Sequence, residues 1–318
     1  MPQKEIHKLR EELQSQLQPI GQACEGGYPA VIEDYFEHYG LNRGGRGVEH
    51  YFGSLRSGDF ALAGHIYRLE RAKGCVVCVH GYMHHCGQLK HLIRNLLECG
   101  YSAAVFDLPG HGLSGGDTAA IDDFSQYRQA LNDFLEAVKQ YCDGPYHFAG
   151  FSLGAAIGID RLLNTNEKTF EKIVLAAPLI RWSLYEQSRG TYAVYSRFTN
   201  RIPRFFRKNS SDREFLIFNK TADYLHQRHL SLKWVKAMFE WNGTIEKAGA
   251  NEKPALILQG DADGTVDWRY NVSTVREKLP DARIEIIEGA RHELFNEGPV
   301  YRRKTLNTIE RYLENGTL

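Results

Sequence analysis

The chain has 318 residues, 42% of them hydrophobic and 25% charged, with 39 basic and 39 acidic side chains. That composition is ordinary for a globular chain of one large domain or two small ones. A formal net charge of zero supplies no overall field to hold a polyanion, which excludes nucleic acid as the expected partner.

Met1–Gln18 is rich in charge and Gln and lacks the apolar core of a signal peptide, and no apolar run reaches the length of a membrane span. A cytoplasmic location is therefore expected. Ile6, Leu9, Leu13 and Leu17 recur at helical steps and predict an amphipathic helix that stops before Pro19. A second helix is predicted over Ala30–Tyr39. Val48–Leu55 and Phe60–Leu69 read as a hairpin turning at Ser57-Gly58-Asp59. Strands and helices then alternate. Strand Cys75–Val79 leads to helix His85–Cys99, strand Ser102–Phe106 to helix Ile121–Tyr141, and strand Tyr146–Ala149 to helix Ser152–Leu163. Strand Ile173–Ala176 follows. Strand Ala255–Gln259, helix Trp268–Leu279, strand Arg283–Ile287 and helix Pro299–Leu313 complete the series. Such alternation predicts an α/β fold with a mainly parallel central sheet and helices on both faces.

One interruption breaks the series. Between Ile173–Ala176 and Ala255–Gln259 the connection is far longer than a usual loop and carries thirteen aromatic residues, among them Trp182, Tyr185, Trp234 and Trp241. A disordered linker is poor in aromatics, so this segment reads as an inserted helical lid. The chain thus divides into an N-terminal helical extension (1–46), an α/β core (47–178 and 254–318) and a lid (179–253).

The cysteines are Cys24, Cys75, Cys78, Cys86, Cys99 and Cys142. Cys75 and Cys78 have CxxC spacing, as in zinc and redox sites. On a strand, however, residues three apart point to opposite faces, so these thiols should not meet. Buried thiols acting as small hydrophobes account for them better.

Gly150-Phe151-Ser152-Leu153-Gly154 matches GxSxG between an apolar strand and a small-residue helix. That is the strand–turn–helix setting of a nucleophile elbow, where flanking glycines avoid clashes and the serine stands at the carboxyl end of the sheet. A serine nucleophile needs a base, and the base an orienting acid. After strand Ala255–Gln259 comes Gly260-Asp261-Ala262-Asp263, with Asp267 close behind; after strand Arg283–Ile287 comes Glu288-Gly289-Ala290-Arg291-His292-Glu293. His292 is the only histidine after Val266, so its position singles it out. His292-Glu293 does not extend to a zinc HExxH motif, because residue 296 is Asn.

These stretches, with His80-Gly81-Tyr82 and Asp107-Leu108-Pro109-Gly110-His111-Gly112-Leu113-Ser114, resemble the monoacylglycerol lipase and lysophospholipase branch of the α/β-hydrolases, also labelled serine aminopeptidase S33-like. The resemblance runs from about Asp59 to the C-terminus and is weakest in the lid. It implies the triad Ser152, Asp263 and His292, with Asp263 as the fourth residue of the Gly-x-x-Asp turn. It also implies oxyanion donors from the backbone N–H groups of Tyr82 and Leu153, and neither metal nor organic cofactor. Met83 stands where the family often has glycine, so the loop is expected to follow another path. Asp107 and His111 are expected to brace their own loop, and His80 to be structural. Substrate-contact candidates are Met83, His84, Phe151, Trp182 and Tyr185. The implied reaction is hydrolysis of a monoacyl lipid-like carboxylic ester. Acyl-thioesters and amides are alternatives for the same triad, and a non-catalytic binding module is a further one. Arg204-Phe205-Phe206-Arg207-Lys208 interleaves cations with aromatics, a pattern suited to weak, peripheral contact with a membrane surface through the lid. Oligomeric state is not legible.

Overall fold

Short, mostly apolar runs form the central strands, and the structure, a computed structural model, describes residues 3–22, 27–42, 47–204 and 207–316. Helices α1 (Gln3–Ser15) and α2 (Ala30–Tyr39) precede the hairpin β1 (Val48–Ser57) and β2 (Phe60–Leu69). Next come β3 (Cys75–Val79), α3 (Lys90–Glu98), β4 (Ser102–Phe106), α4 (Ser125–Val138), β5 (Tyr146–Phe151), α5 (Leu153–Asn164) and β6 (Phe170–Ala176). The long connection follows, with α6 (Tyr185–Tyr195), β7 (Arg201–Pro203), α7 (Arg213–Thr221), β8 (His229–Ser231) and α8 (Leu232–Lys247). β9 (Leu256–Gly260), α9 (Trp268–Lys278), β10 (Arg283–Ile287) and α10 (Pro299–Asn315) close the order.

The main sheet has eight strands in the order β1-β2-β4-β3-β5-β6-β9-β10. β2 is antiparallel to β1 and β4, and the strands from β4 to β10 run parallel. Residues Gln18–Ile20 pair beside β1 through Ser54 N–H to Gln18 O (2.7 Å) and Ile20 N–H to Ser54 O (2.9 Å), which covers an otherwise open sheet edge.

Alternation along β3 sorts side chains between two core layers. Cys75, Val77 and Val79 pack in the layer of α4, α5, α8 and α9, while Val76 and Cys78 pack with α2, α3 and α10. Cys75 and Cys78 therefore face opposite sides of the sheet, and both are free thiols. Cys24 lies outside the described residues.

Several element boundaries differ from expectation. The helix expected from His85 begins as a 3-10 turn, Cys86–Leu89, because the His85 ring accepts the Gly87 N–H (3.2 Å) and caps the turn. The helix expected from Ile121 starts at Ser125, because Asp123 accepts the Ser125 N–H (2.8 Å) and holds a local turn instead. The long connection is not wholly helical. β7 and β8 form a small antiparallel ribbon pairing Ile202 with Leu230. Among the described residues, no helix is long and apolar enough to cross a membrane.

Candidate active site

The turn from β5 into α5 is too tight for side chains on its flanks. A Cβ on Gly150 would stand 2.4 Å from Gly154 O, and one on Gly154 would stand 2.1 Å from Val79 O. Ser152 itself takes φ 54° and ψ −107°, a strained conformation for a residue with a side chain. Hydrogen bonds to β6 and beyond hold it there: Ser152 N–H donates to Ala176 O (2.9 Å), and Leu179 N–H donates to Ser152 O (3.1 Å).

Two loops from neighbouring parallel strands meet above the serine. Gly260, at the end of β9, lies so close to the loop after β10 that a Cβ would stand 2.3 Å from Ala290 O. Ala262 N–H donates to Ala290 O (3.0 Å), and Gly289 N–H donates to Asp261 (2.6 Å). This clamp brings Asp263 Oδ2 to 2.7 Å from His292 Nδ1, and His292 Nε2 to 3.0 Å from Ser152 Oγ. Asp267, by contrast, caps α9 by accepting the Tyr270 N–H (3.2 Å). The three acids of this loop are thus told apart by what each holds.

The electrostatics match the geometry. Burial pushes the Asp263 carboxyl up, but the His292 ring and hydrogen bonds from Thr265 N–H and Gln259 outweigh it and hold the carboxyl below its usual range. Burial lowers His292, yet the charge and hydrogen bond of Asp263, with the nearby Glu293 carboxylate, outweigh it and raise the ring's pKa. Asp263 accepts the Nδ1 proton, which leaves Nε2 free to accept from the Ser152 hydroxyl.

Beside the serine, Leu153 is the first residue of α5, so its N–H is one of the helix's orphan donors. Gly81 presses against the elbow: a Cβ there would lie 3.2 Å from Ser152 Cβ. That contact brings the Gly81–Tyr82 peptide alongside the serine. Met83 takes φ 63°, the left-handed conformation glycine adopts freely. The side chain there costs about 1–2 kcal/mol without forbidding the turn. Loop bracing is as expected. Asp107 accepts Cys86 N–H (2.7 Å) and Leu113 N–H (2.8 Å), His80 Nε2 accepts Leu108 N–H (2.9 Å), and the His111 ring meets Pro109 O (2.9 Å).

A cavity of about 270 Å³ opens above Ser152, with Met83, His84, Phe151 and Trp182 in its wall. Tyr185 is not in that wall. It packs behind Trp182 at 4.9 Å between ring centroids and under the Arg181 guanidinium. The longer apolar walls come from residues outside the substrate-contact candidates: Leu179, Tyr192, Ile202, Leu230, Trp234 and Val235. At one end of the cavity, buried His84 Nε2 lies 3.1 Å from Glu293 Oε1, and Asn209 donates to the same carboxylate (2.7 Å). Arg204 also lines the cavity and bonds the His226 ring, so its guanidinium turns inward and not toward a surface patch. Phe205 and Phe206 lie outside the described residues. The only sequence signal for Glu293 was its place directly after His292. Arg204 had none, because only the fold of the β7–β8 ribbon carries it inward.

Comparisons with known proteins bear on the fold and family. A family model described as serine aminopeptidase, S33, matches residues 70–299. Phospholipase YtpA of Bacillus subtilis is 23% identical over 249 residues, covering 73% of this chain and 92% of the relative. A monoglyceride lipase homolog of monkeypox virus is 25% identical over 262 residues, covering 76% and 90%. Among solved structures, a soluble variant of monoglyceride lipase from Saccharomyces cerevisiae superposes with a TM-score of 0.72 at 19% identity, over 83% of this chain and 95% of that one. The chain belongs to the serine aminopeptidase S33 family of α/β-hydrolases.

Proposed function

We propose that the chain hydrolyses carboxylic esters of monoacyl lipids through an acyl-enzyme on Ser152. The observation that carries this reading is the Ser152–His292–Asp263 hydrogen-bond chain at the floor of an apolar cavity. Ser152 Oγ attacks the ester carbonyl carbon while His292 Nε2 takes its proton. Asp263 keeps the Nδ1 proton in place and stabilises the imidazolium. The N–H groups of Tyr82 and Leu153 stabilise the tetrahedral oxyanion. Collapse expels the alcohol with the proton from His292, and water then releases the fatty acid by the reverse choreography.

Residues 179–253 act as a lid in this proposal, with 1–46 as an extension and 47–178 plus 254–318 as the catalytic core. The lid's rings and aliphatic side chains suit an acyl chain. Relatives named as a phospholipase and monoglyceride lipases support a lipid ester over a peptide. Weak contact with a membrane surface fits the lid's outer side, where Leu184, Val194, Tyr195 and Phe198 are each more than half exposed. A profile of kcat/KM across acyl length tests the substrate class. Burying each methylene contributes about 0.8 kcal/mol, so kcat/KM should rise up to about fourfold per carbon and level off as the cavity fills. A flat profile from acetyl to dodecanoyl esters contradicts acyl binding. Faster turnover of matched thioesters or amides would move the assignment to those substrates.

A further inference from the structure

We propose that the groove between α1 and the β7–β8 ribbon is a second ligand site, one that takes a phosphate ester. Three arginines from separate chain segments line it: Arg10 of α1, Arg201 of β7 and Arg228 just before β8. His229 adds an imidazole and Thr118 a hydroxyl around about 460 Å³ of space, while the His7 ring at its edge lies 3.2 Å from Glu11 Oε1. Among the described residues no Asp or Glu lines this groove, and none of the three arginines makes an ion pair. The gathering of unpaired cations is also not a by-product of a basic chain, since the net charge is zero.

Arg10 is only partly satisfied by the chain itself. Its Nη2 donates to Ser114 O (3.0 Å), while its Nε is buried without a hydrogen-bond partner. Burial works against its charge and outweighs the attraction of the Asp107 carboxylate, so its pKa is lowered. An anion in the groove would offset that cost. Phosphate matches the chemistry best, because guanidinium forks bond its oxygens in pairs and several arginines share one dianion. The space exceeds what phosphate alone fills, so an ester with a small organic group is the fitting class.

The placement also couples this groove to the cavity above Ser152. Ile202 and Leu230 are a cross-strand pair on the ribbon face that walls that cavity. Arg201 and His229, one residue away on each strand, point to the opposite face and line the groove. A ligand held there braces the back of the acyl-binding wall. The binding claim stands independently of the chemistry proposed for Ser152.

The ligand can be a free phosphorylated metabolite or a lipid headgroup, and two arms separate them. Titration calorimetry of the full chain with glycerol 3-phosphate and with inorganic phosphate reads the first. Co-sedimentation with phosphatidylglycerol vesicles, against phosphatidylcholine vesicles, reads the second. Arg201→Glu/Arg228→Glu is the matched variant, and neither position touches the cavity above Ser152. Saturable binding in either arm, weakened about tenfold or more in the variant, supports the site and names its source. No binding in both arms, or binding that the variant leaves unchanged, overturns it. If the double reversal lowers the melting temperature, Arg228→Gln read in the same assays decides.

Discussion

Adding one methyl group at Gly154 should disable the site without touching any reactive atom. In Gly154→Ala the new Cβ would stand 2.1 Å from Val79 O, 2.7 Å from Val79 C and 2.9 Å from His80 O. All three are backbone atoms, so no side chain can swing aside. A carbon atom needs about 3.5 Å from a non-bonded neighbour, so the α5 end and the β3 exit must part by about 1 Å. Those two segments carry the two proposed oxyanion donors, Leu153 and Tyr82, and the shift separates them. A misplacement of that size costs about 10²-fold in rate, and overpacking typically costs ~1–3 kcal/mol of stability. Steady-state hydrolysis of a 4-nitrophenyl ester and a thermal melt measure both. The matched control is Gly190→Ala inside α6, where an added Cβ meets nothing within 4 Å. It should keep full activity and gain roughly 0.5–1 kcal/mol. A Gly154→Ala protein with unaltered kcat/KM and melting temperature would refute the reasoning.

Three other perturbations probe different parts of the site. Asp263→Asn should lower kcat by about 10⁴-fold by favouring the wrong His292 tautomer, while Asp267→Asn, at a helix cap where Asn serves as well, should stay near wild type; the reverse order in a kinetic comparison rejects the acid assignment. Glu293 helps raise the pKa of His292, and the proposed mechanism needs that ring neutral, so kcat/KM should fall as pH drops through a value above the ordinary histidine 6.5. Glu293→Gln should move this acid limb to lower pH, and an unchanged or upward-shifted limb in the pH–rate profile contradicts the electrostatics. Asp223 accepts from Tyr39 OH (2.9 Å), Gln88 (2.8 Å) and Leu225 N–H (3.1 Å) and pairs with His85 (3.1 Å), all in the interior. Asp223→Ala strands these partners and should cost about 3–5 kcal/mol, visible as a lowered melting temperature.

The framework of the proposed site was legible because its signals are local and covalently ordered. GxSxG sits at a strand–helix junction, and the acid and histidine follow later strands, so chain order alone brings Ser152, Asp263 and His292 to one end of the sheet. Period-two alternation of side-chain direction on β3 likewise sorted Cys75 from Cys78. The inserted segment was not legible in the same way. β7 and β8 are three residues each, too short for any periodicity, and their pairing spans the whole of α7. Only that pairing turns Arg204 inward and puts Ile202 and Leu230 into the cavity wall. Tyr185 has the aromatic character an acyl pocket uses, yet a separation of about two turns along α6 decides which rings line the cavity. Tyr192 reaches it and Tyr185 supports Trp182 from behind.

The most direct test of the proposed chemistry is covalent labelling with a fluorophosphonate probe, which captures a serine only when a neighbouring base activates it. Incubated with the intact chain, the probe should add to the peptide carrying Ser152, as read by mass spectrometry. Labelling and ester hydrolysis should vanish together in Ser152→Ala, whose turnover falls by roughly 10⁴-fold or more. An adduct on another residue, or ester hydrolysis that persists in Ser152→Ala, would contradict the assignment of Ser152 as nucleophile.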